Sequence, residues 1–183
     1  MSEKLVLLGV KHLLRNLPKV ESYLSKFPLR DKKVLTEFDE SANKSSHEFY
    51  GPLQDFLLSQ GAVLLHEEGE RELSVKAMNE YESIYGEKNK LEWESLVSLE
   101  EDAKQINDMS ARLRIAEAQG RMMLAHQDDF LSLNSKYRNP NILDLISSQR
   151  PDFVVIGNGH IRELYPSILR NTRDRQLEYK VFD

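Results

Sequence analysis

The sequence predicts an α/β fold: a mostly parallel sheet of about five strands flanked by helices, with a long helical insertion in the middle. Three observations predict it. Short apolar runs recur at 5–9 (LVLLG), 33–38 (KVLTEF), 62–66 (AVLLH) and 153–157 (FVVIG). Stretches of helical periodicity separate them, and strands joined through helices need crossovers, which make the strands parallel. Between 70 and 135 strand signals fade, and Glu, Lys, Ala, Leu, Met and Arg dominate. With 183 residues, the expected organisation is a single α/β domain, 1–183, carrying 70–135 as a helical insertion.

The elements follow in order. Lys4 to Gly9 has apolar residues without alternation, the mark of a strand buried on both faces. Leu17, Val20, Tyr23, Leu24 and Phe27 fall at helical spacing, with Asn16 as the expected N-cap and Pro18 in the first turn. Lys33 to Phe38 is the second strand. Ser45-Ser46 is expected to cap a helical region through Gln60, interrupted at Gly51-Pro52 and ended by Gly61. Ala62 to His66 is the third strand. Two helices, Leu73–Tyr85 and Leu91–Gln127, are expected next, broken near Gly86 or Asn89. Arg138-Asn139-Pro140 reads as a turn, with Asn141 capping a short helix to Ser148. Phe153 to Gly157 is the fourth strand, His160 to Arg170 a helix, and Gln176 to Phe182 an alternating edge strand.

Composition narrows the function classes. There is no cysteine, which excludes disulfides, zinc–thiolate sites and thiol nucleophiles and favours a reducing, cytoplasmic location. Leu5 to Val10 is too short for the apolar core of a signal peptide, and no run reaches the roughly 20 apolar residues of a membrane span. Net charge is −5 with both signs interspersed, so neither nucleic acid nor membrane is an expected partner. The charged central helices make a homodimer through them an expectation.

Ligands of open parallel sheets bind beyond the C-terminal strand ends. This chain places polar residues there: His12 after strand one, Glu37 at the end of strand two, His66-Glu67-Glu68 after strand three and His160 after strand four. Gly9-Val10-Lys11-His12 and Gly157-Asn158-Gly159-His160 repeat one pattern, Gly-x-x-His after an apolar run. The glycines are expected to allow a sharp exit from the strand. Two chemistries are open to His12, Glu37 and His160. They can ligate a divalent ion (Mn, Zn or Co) that activates water. Alternatively, one histidine acts as general base with Glu37 orienting it. Arg121 or Lys11 would stabilise negative charge on a substrate. Gly9, Lys11, Gly157, Asn158, Gly159 and Glu67 are the candidate substrate contacts.

The stretches LVLLGVKH, PKVESYL, DKKVLTEFDES and RPDFVVIGNGHIRELYPSIL resemble the TraB family, which includes the pheromone-shutdown proteins and the Tiki proteases. They are more distantly similar to the erythromycin esterase and ChaN-like group. The resemblance covers about forty residues at each end and rests on the two Gly-x-x-His motifs with Glu37 between them. It implies a metal-dependent hydrolase of peptide or small ester substrates, with His12, Glu37 and His160 as metal ligands and catalytic residues. Relatives commonly carry an Arg-Asp pair with a nearby Met on the helix before the last motif. Here the expected counterpart is Gln127-Asp128-Asp129-Phe130-Leu131, with Arg121 supplying the arginine. A non-catalytic ligand- or partner-binding module that keeps the site geometry is the alternative.

Overall fold

The computed structural model describes residues 3–37, 44–66 and 70–183, and at 44–47 and 70–71 the backbone alone. Residues 38–43, Glu67 and Glu68, and the side chains of Ser45, Ser46 and His47 therefore lie outside the described residues. The elements are β1 (Lys4–Val10), α1 (Leu17–Leu24), β2 (Lys33–Thr36), α2 (Lys44–Ser59), β3 (Val63–His66), α3 (Glu70–Gln105), α4 (Met109–Gln149), β4 (Phe153–Gly157), α5 (Asn158–Asn171) and β5 (Gln176–Phe182). The five strands form one sheet in the order β3-β2-β4-β1-β5, and every neighbouring pair is parallel.

Side-chain alternation along the strands sends two sets of apolar residues to opposite faces. Val6, Leu8, Val34 and Val155 pack with Val20 and Leu24 of α1 and with Phe49, Leu53 and Leu57 of α2. Leu5, Leu7, Leu35, Val154 and Ile156 pack with Ile142 and Ile146 of α4 and with Ile161, Leu164 and Ile168 of α5. Burial on both faces is why β1 and β4 read as continuous apolar runs. Each fully buried Leu, Ile or Val contributes roughly 1.5–3 kcal/mol of transfer free energy.

Residue contacts divide the chain into two units: Met1–Arg71 with Arg138–Asp183, and Glu72–Tyr137. The second unit is a helical hairpin with a partly polar seam. Ala77, Ala103 and Met122 are buried in it, Tyr81 meets Phe130 edge-on, and Lys136 and Tyr137 both bond Glu80. No helix among the described residues is long and apolar enough to cross a membrane.

Several helix boundaries differ from the sequence reading. α2 runs through Gly51-Pro52, because Phe49, Tyr50, Leu53 and Leu57 are all buried along one side and hold it. α3 runs through Gly86 and Asn89; a single interior glycine costs only about 1 kcal/mol. The break falls at Asn107, which takes φ of 52°, and Asp108 then caps α4 by accepting the Ala111 N–H at 2.9 Å. Arg138-Asn139-Pro140 is not a turn, and Asn141 is no cap: α4 continues through all four. Ile142 and Ile146, both buried, hold the segment after Pro140 against the sheet. Asn16 does not cap α1 with its side chain. Its buried amide instead donates to the Lys11 carbonyl at 3.1 Å and the Phe182 carbonyl at 3.4 Å.

Candidate active site

β1 and β4 are neighbours, but their following helices pack on opposite faces, α1 on one and α5 on the other. The chain therefore parts beyond their C-terminal ends, the place where open parallel sheets hold ligands. His12 follows β1, Gly157 ends β4, and His160 lies in the first turn of α5. Glu37 follows β2 on the other side of β4, tied there by its N–H to the Val155 carbonyl at 3.3 Å. All the side chains that meet here belong to the α/β unit.

Glu37 is the centre. One carboxylate oxygen, Oε1, accepts from Arg138 Nη1 at 2.8 Å and faces His160 Nε2 at 3.5 Å. The other, Oε2, accepts the Gly157 N–H at 2.7 Å and the Tyr50 hydroxyl at 3.4 Å, and faces His12 Nε2 at 3.6 Å. The Tyr50 oxygen also lies 3.2 Å from His12 Nε2. The Gly157 bond puts the carboxylate at the N-terminus of α5, where the helix dipole favours an anion. Burial, the largest single influence, pushes the Glu37 pKa up; the neighbouring His12 and His160 imidazoles and the Arg138 charge together overcome it and hold it well below the usual carboxylate range. Glu37 is thus an ionised carboxylate with 10% of its side chain exposed, beside an Arg138 side chain 5% exposed.

The histidines are held differently. The His12 ring stacks on Phe49 and meets Tyr50 edge-on, and its side chain is 23% exposed. His160 is 11% exposed, and its Nδ1 lies 2.6 Å from the Asn139 side-chain oxygen. The glycines serve closeness rather than a left-handed turn, since of the described glycines only Gly61 has positive φ. A Cβ on Gly157 would sit 3.1 Å from Glu37 Oε2, and one on Gly9 would sit 2.8 Å from the Asn158 oxygen. That Asn158 oxygen accepts the Tyr179 hydroxyl, so Gly9 and Asn158 shape the rim from below.

The structure brings His12, Glu37, His160 and Gly157 together. Lys11 instead pairs with Asp183 at 3.6 Å, exposed, and Gly159 has open space where a side chain would begin. His66 is exposed at the end of β3, in register with Thr36. Arg121 belongs to the helical unit, where it pairs with Glu117 one turn away, also exposed. The arginine on Glu37 is Arg138. Sequence reasoning missed it, with Asn139 and Tyr50, because Pro140 and Gly51-Pro52 were read as helix breaks. The signal was present: Arg138-Asn139 is an arginine–amide pair on the helix preceding the last motif.

The His–Glu–His set also has to be weighed as a metal site. Among the described residues no group of three or more His, Asp or Glu side chains is arranged to hold a metal ion. Among the described residues Glu37 is the only carboxylate of the cluster, and the oxygen it turns to His160 already carries the Arg138 guanidinium. A dication there would share its one anionic ligand with a fixed, buried positive charge. Among the described residues the set, as arranged, does not fit a divalent ion. No family model, curated protein or solved structure matches this chain.

Proposed function

We propose that the rim cluster is the reaction centre of a hydrolase acting on a peptide or small ester bond through its own acid–base groups. One observation carries the reading: a single ionised, buried carboxylate is shared by two imidazoles, each turning Nε2 toward it. Burying a carboxylate is costly, and pairing it with arginine adds little net stability over an apolar pair. Both Nε2 separations exceed hydrogen-bond length, so neither imidazole is locked in a strong bond to the carboxylate. His12, the more exposed, takes the proton of an attacking water at Nε2. Glu37 orients the ring and offsets its gained charge, Arg138 and Gly157 keep Glu37 in place, and the proton gained by His12 goes to the leaving group, with His160 Nε2 as a second site beside Glu37 that can hold it between the two steps. The likeness to TraB and Tiki proteins supports the reaction class, with Arg138-Asn139 taking the place of their Arg-Asp pair. The cysteine-free composition supports a cytoplasmic setting. Exposed Ile84, Leu91, Leu113 and Leu124 on the helical unit support homodimerisation, read by sedimentation. The small exposure of Glu37 and His160 favours the second reading, a closed ligand-binding module.

The test is hydrolysis of a panel of chromogenic esters and fluorogenic peptides, with chelator and with added Mn, Zn or Co. The proposal expects turnover that survives the chelator and is lost in Glu37→Gln. Turnover only with metal would restore the metal-dependent reading. Ligand-induced stabilisation without turnover would favour the binding module.

A further inference from the structure

The side chains of Asn139 and Glu163 set which nitrogen of His160 is bare. Its Nδ1 lies 2.6 Å from Asn139 Oδ1, while Asn139 Nδ2 donates to Glu163 Oε2 at 2.6 Å. His160 and Glu163 are one turn apart on α5, so their side chains share a face, and Asn139 of α4 spans both. A carboxylate only accepts, so Glu163 fixes the amide with its NH2 outward and its oxygen toward the ring. An amide oxygen in turn can only accept, so the ring must present Nδ1–H to it. Both ring nitrogens face acceptors, but Nδ1 lies 2.6 Å from its own and Nε2 3.5 Å from Glu37, so the single proton of the neutral ring sits on Nδ1 and Nε2 is the atom left to exchange a proton beside Glu37.

We propose that Glu163 is a positioning residue: acting through Asn139, it holds His160 in the Nδ1–H tautomer and aims a bare Nε2 at Glu37. This rests on the rim cluster being a reaction centre, but the tautomer is measurable without any reaction. Glu163 is exposed and touches neither Glu37 nor His12 among the contacts described, so its exchange spares the core.

The experiment is long-range proton–nitrogen NMR on the full chain with labelled histidine, at a pH where the His160 ring is neutral; His160→Gln assigns its signals. The wild type is expected to show His160 with Nδ1 protonated and Nε2 bare as the dominant form. Glu163→Lys replaces the acceptor with a donor, turns the amide over, and is expected to make Nε2–H the dominant form. Asn139→Asp combined with Glu163→Lys restores Nδ1–H, because an aspartate at 139 can only accept. A dominant Nε2–H form in the wild type, or a tautomer unmoved by Glu163→Lys, would overturn the assignment. Absence of hydrolysis with the tautomer pattern intact would sink the reaction, not the relay.

Discussion

The two ends of the sheet solve the problem of charge in opposite ways. Beyond the N-terminal strand ends, Arg150 pairs with Glu3 at 2.9 Å and Asp174 at 2.7 Å, and all three are exposed. Lys32 pairs with Asp152 at 2.9 Å. A buried cation there, Arg175, gives Nη2 to the Lys4 and Pro151 carbonyls at 3.0 and 2.7 Å, and burial draws its pKa down. A cavity of about 330 Å³ opens between Lys4, Phe27, Lys32 and Asp152, yet those charges are already matched. Beyond the C-terminal ends, one carboxylate is taken out of water and surrounded by a guanidinium, a backbone N–H, a phenol and two imidazoles. The first end offers a cavity. Chemistry chooses the second, because only there do proton-transferring groups converge on a buried charge.

If that contrast is right, the largest stability effects belong to the C-terminal rim. Glu37→Ala removes the Glu37 carboxylate from the buried Arg138 guanidinium and should cost about 3–5 kcal/mol in urea unfolding. Pairing Glu37→Gln with Arg138→Met removes both charges, and the double variant should be clearly more stable than Glu37→Ala. Equal losses in the two would mean that packing, not charge, sets the cost.

The next effect is in pH. The Glu37 pKa is lower folded than its ordinary value of 4.5, so the folded state binds its proton less readily than the unfolded chain. Its contribution to stability is present above about 4.5 and is lost as pH falls through the folded pKa. Acid unfolding of Glu37→Gln should therefore show a shallower decline below 4.5 than the wild type. A parallel decline would place the acid sensitivity at other carboxylates.

Much of this contrast was legible in the sequence, for reasons tied to particular residues. The strands beyond Leu5, Val34 and Phe153 announce themselves because burial on both faces demands unbroken apolar runs. The Gly-x-x-His pairs and Glu37 could be placed at one rim because parallel topology carries strand ends together however distant they are in the chain. Arg138, Asn139 and Tyr50 were masked by their neighbours in the sequence. Each lies near a proline whose local preference is to end a helix, and only tertiary packing of Ile142, Ile146, Leu53 and Leu57 overrules that preference. Which nitrogen of His160 is bare was beyond the sequence as well, since it depends on an amide and a carboxylate from two helices.

Smaller effects sharpen the comparison. Tyr50→Phe removes the hydroxyl shared by Glu37 and His12 and should cost about 1 kcal/mol in the same unfolding assay. Arg150→Ala at the opposite end breaks two exposed ion pairs and should be hard to distinguish from the wild type in that measurement, more so at high salt. A loss at Arg150 as large as that at Glu37 would erase the distinction between the ends.

The central claim is that the rim cluster does chemistry, and His12→Gln with chelator present addresses it most directly. His12 is the more exposed of the two histidines and sits 3.6 Å from Glu37, so the fold should keep its melting temperature. Turnover of the best ester or peptide found should fall by about 10²–10⁴-fold, the usual worth of a general base. Unchanged turnover in a folded His12→Gln protein would contradict the account.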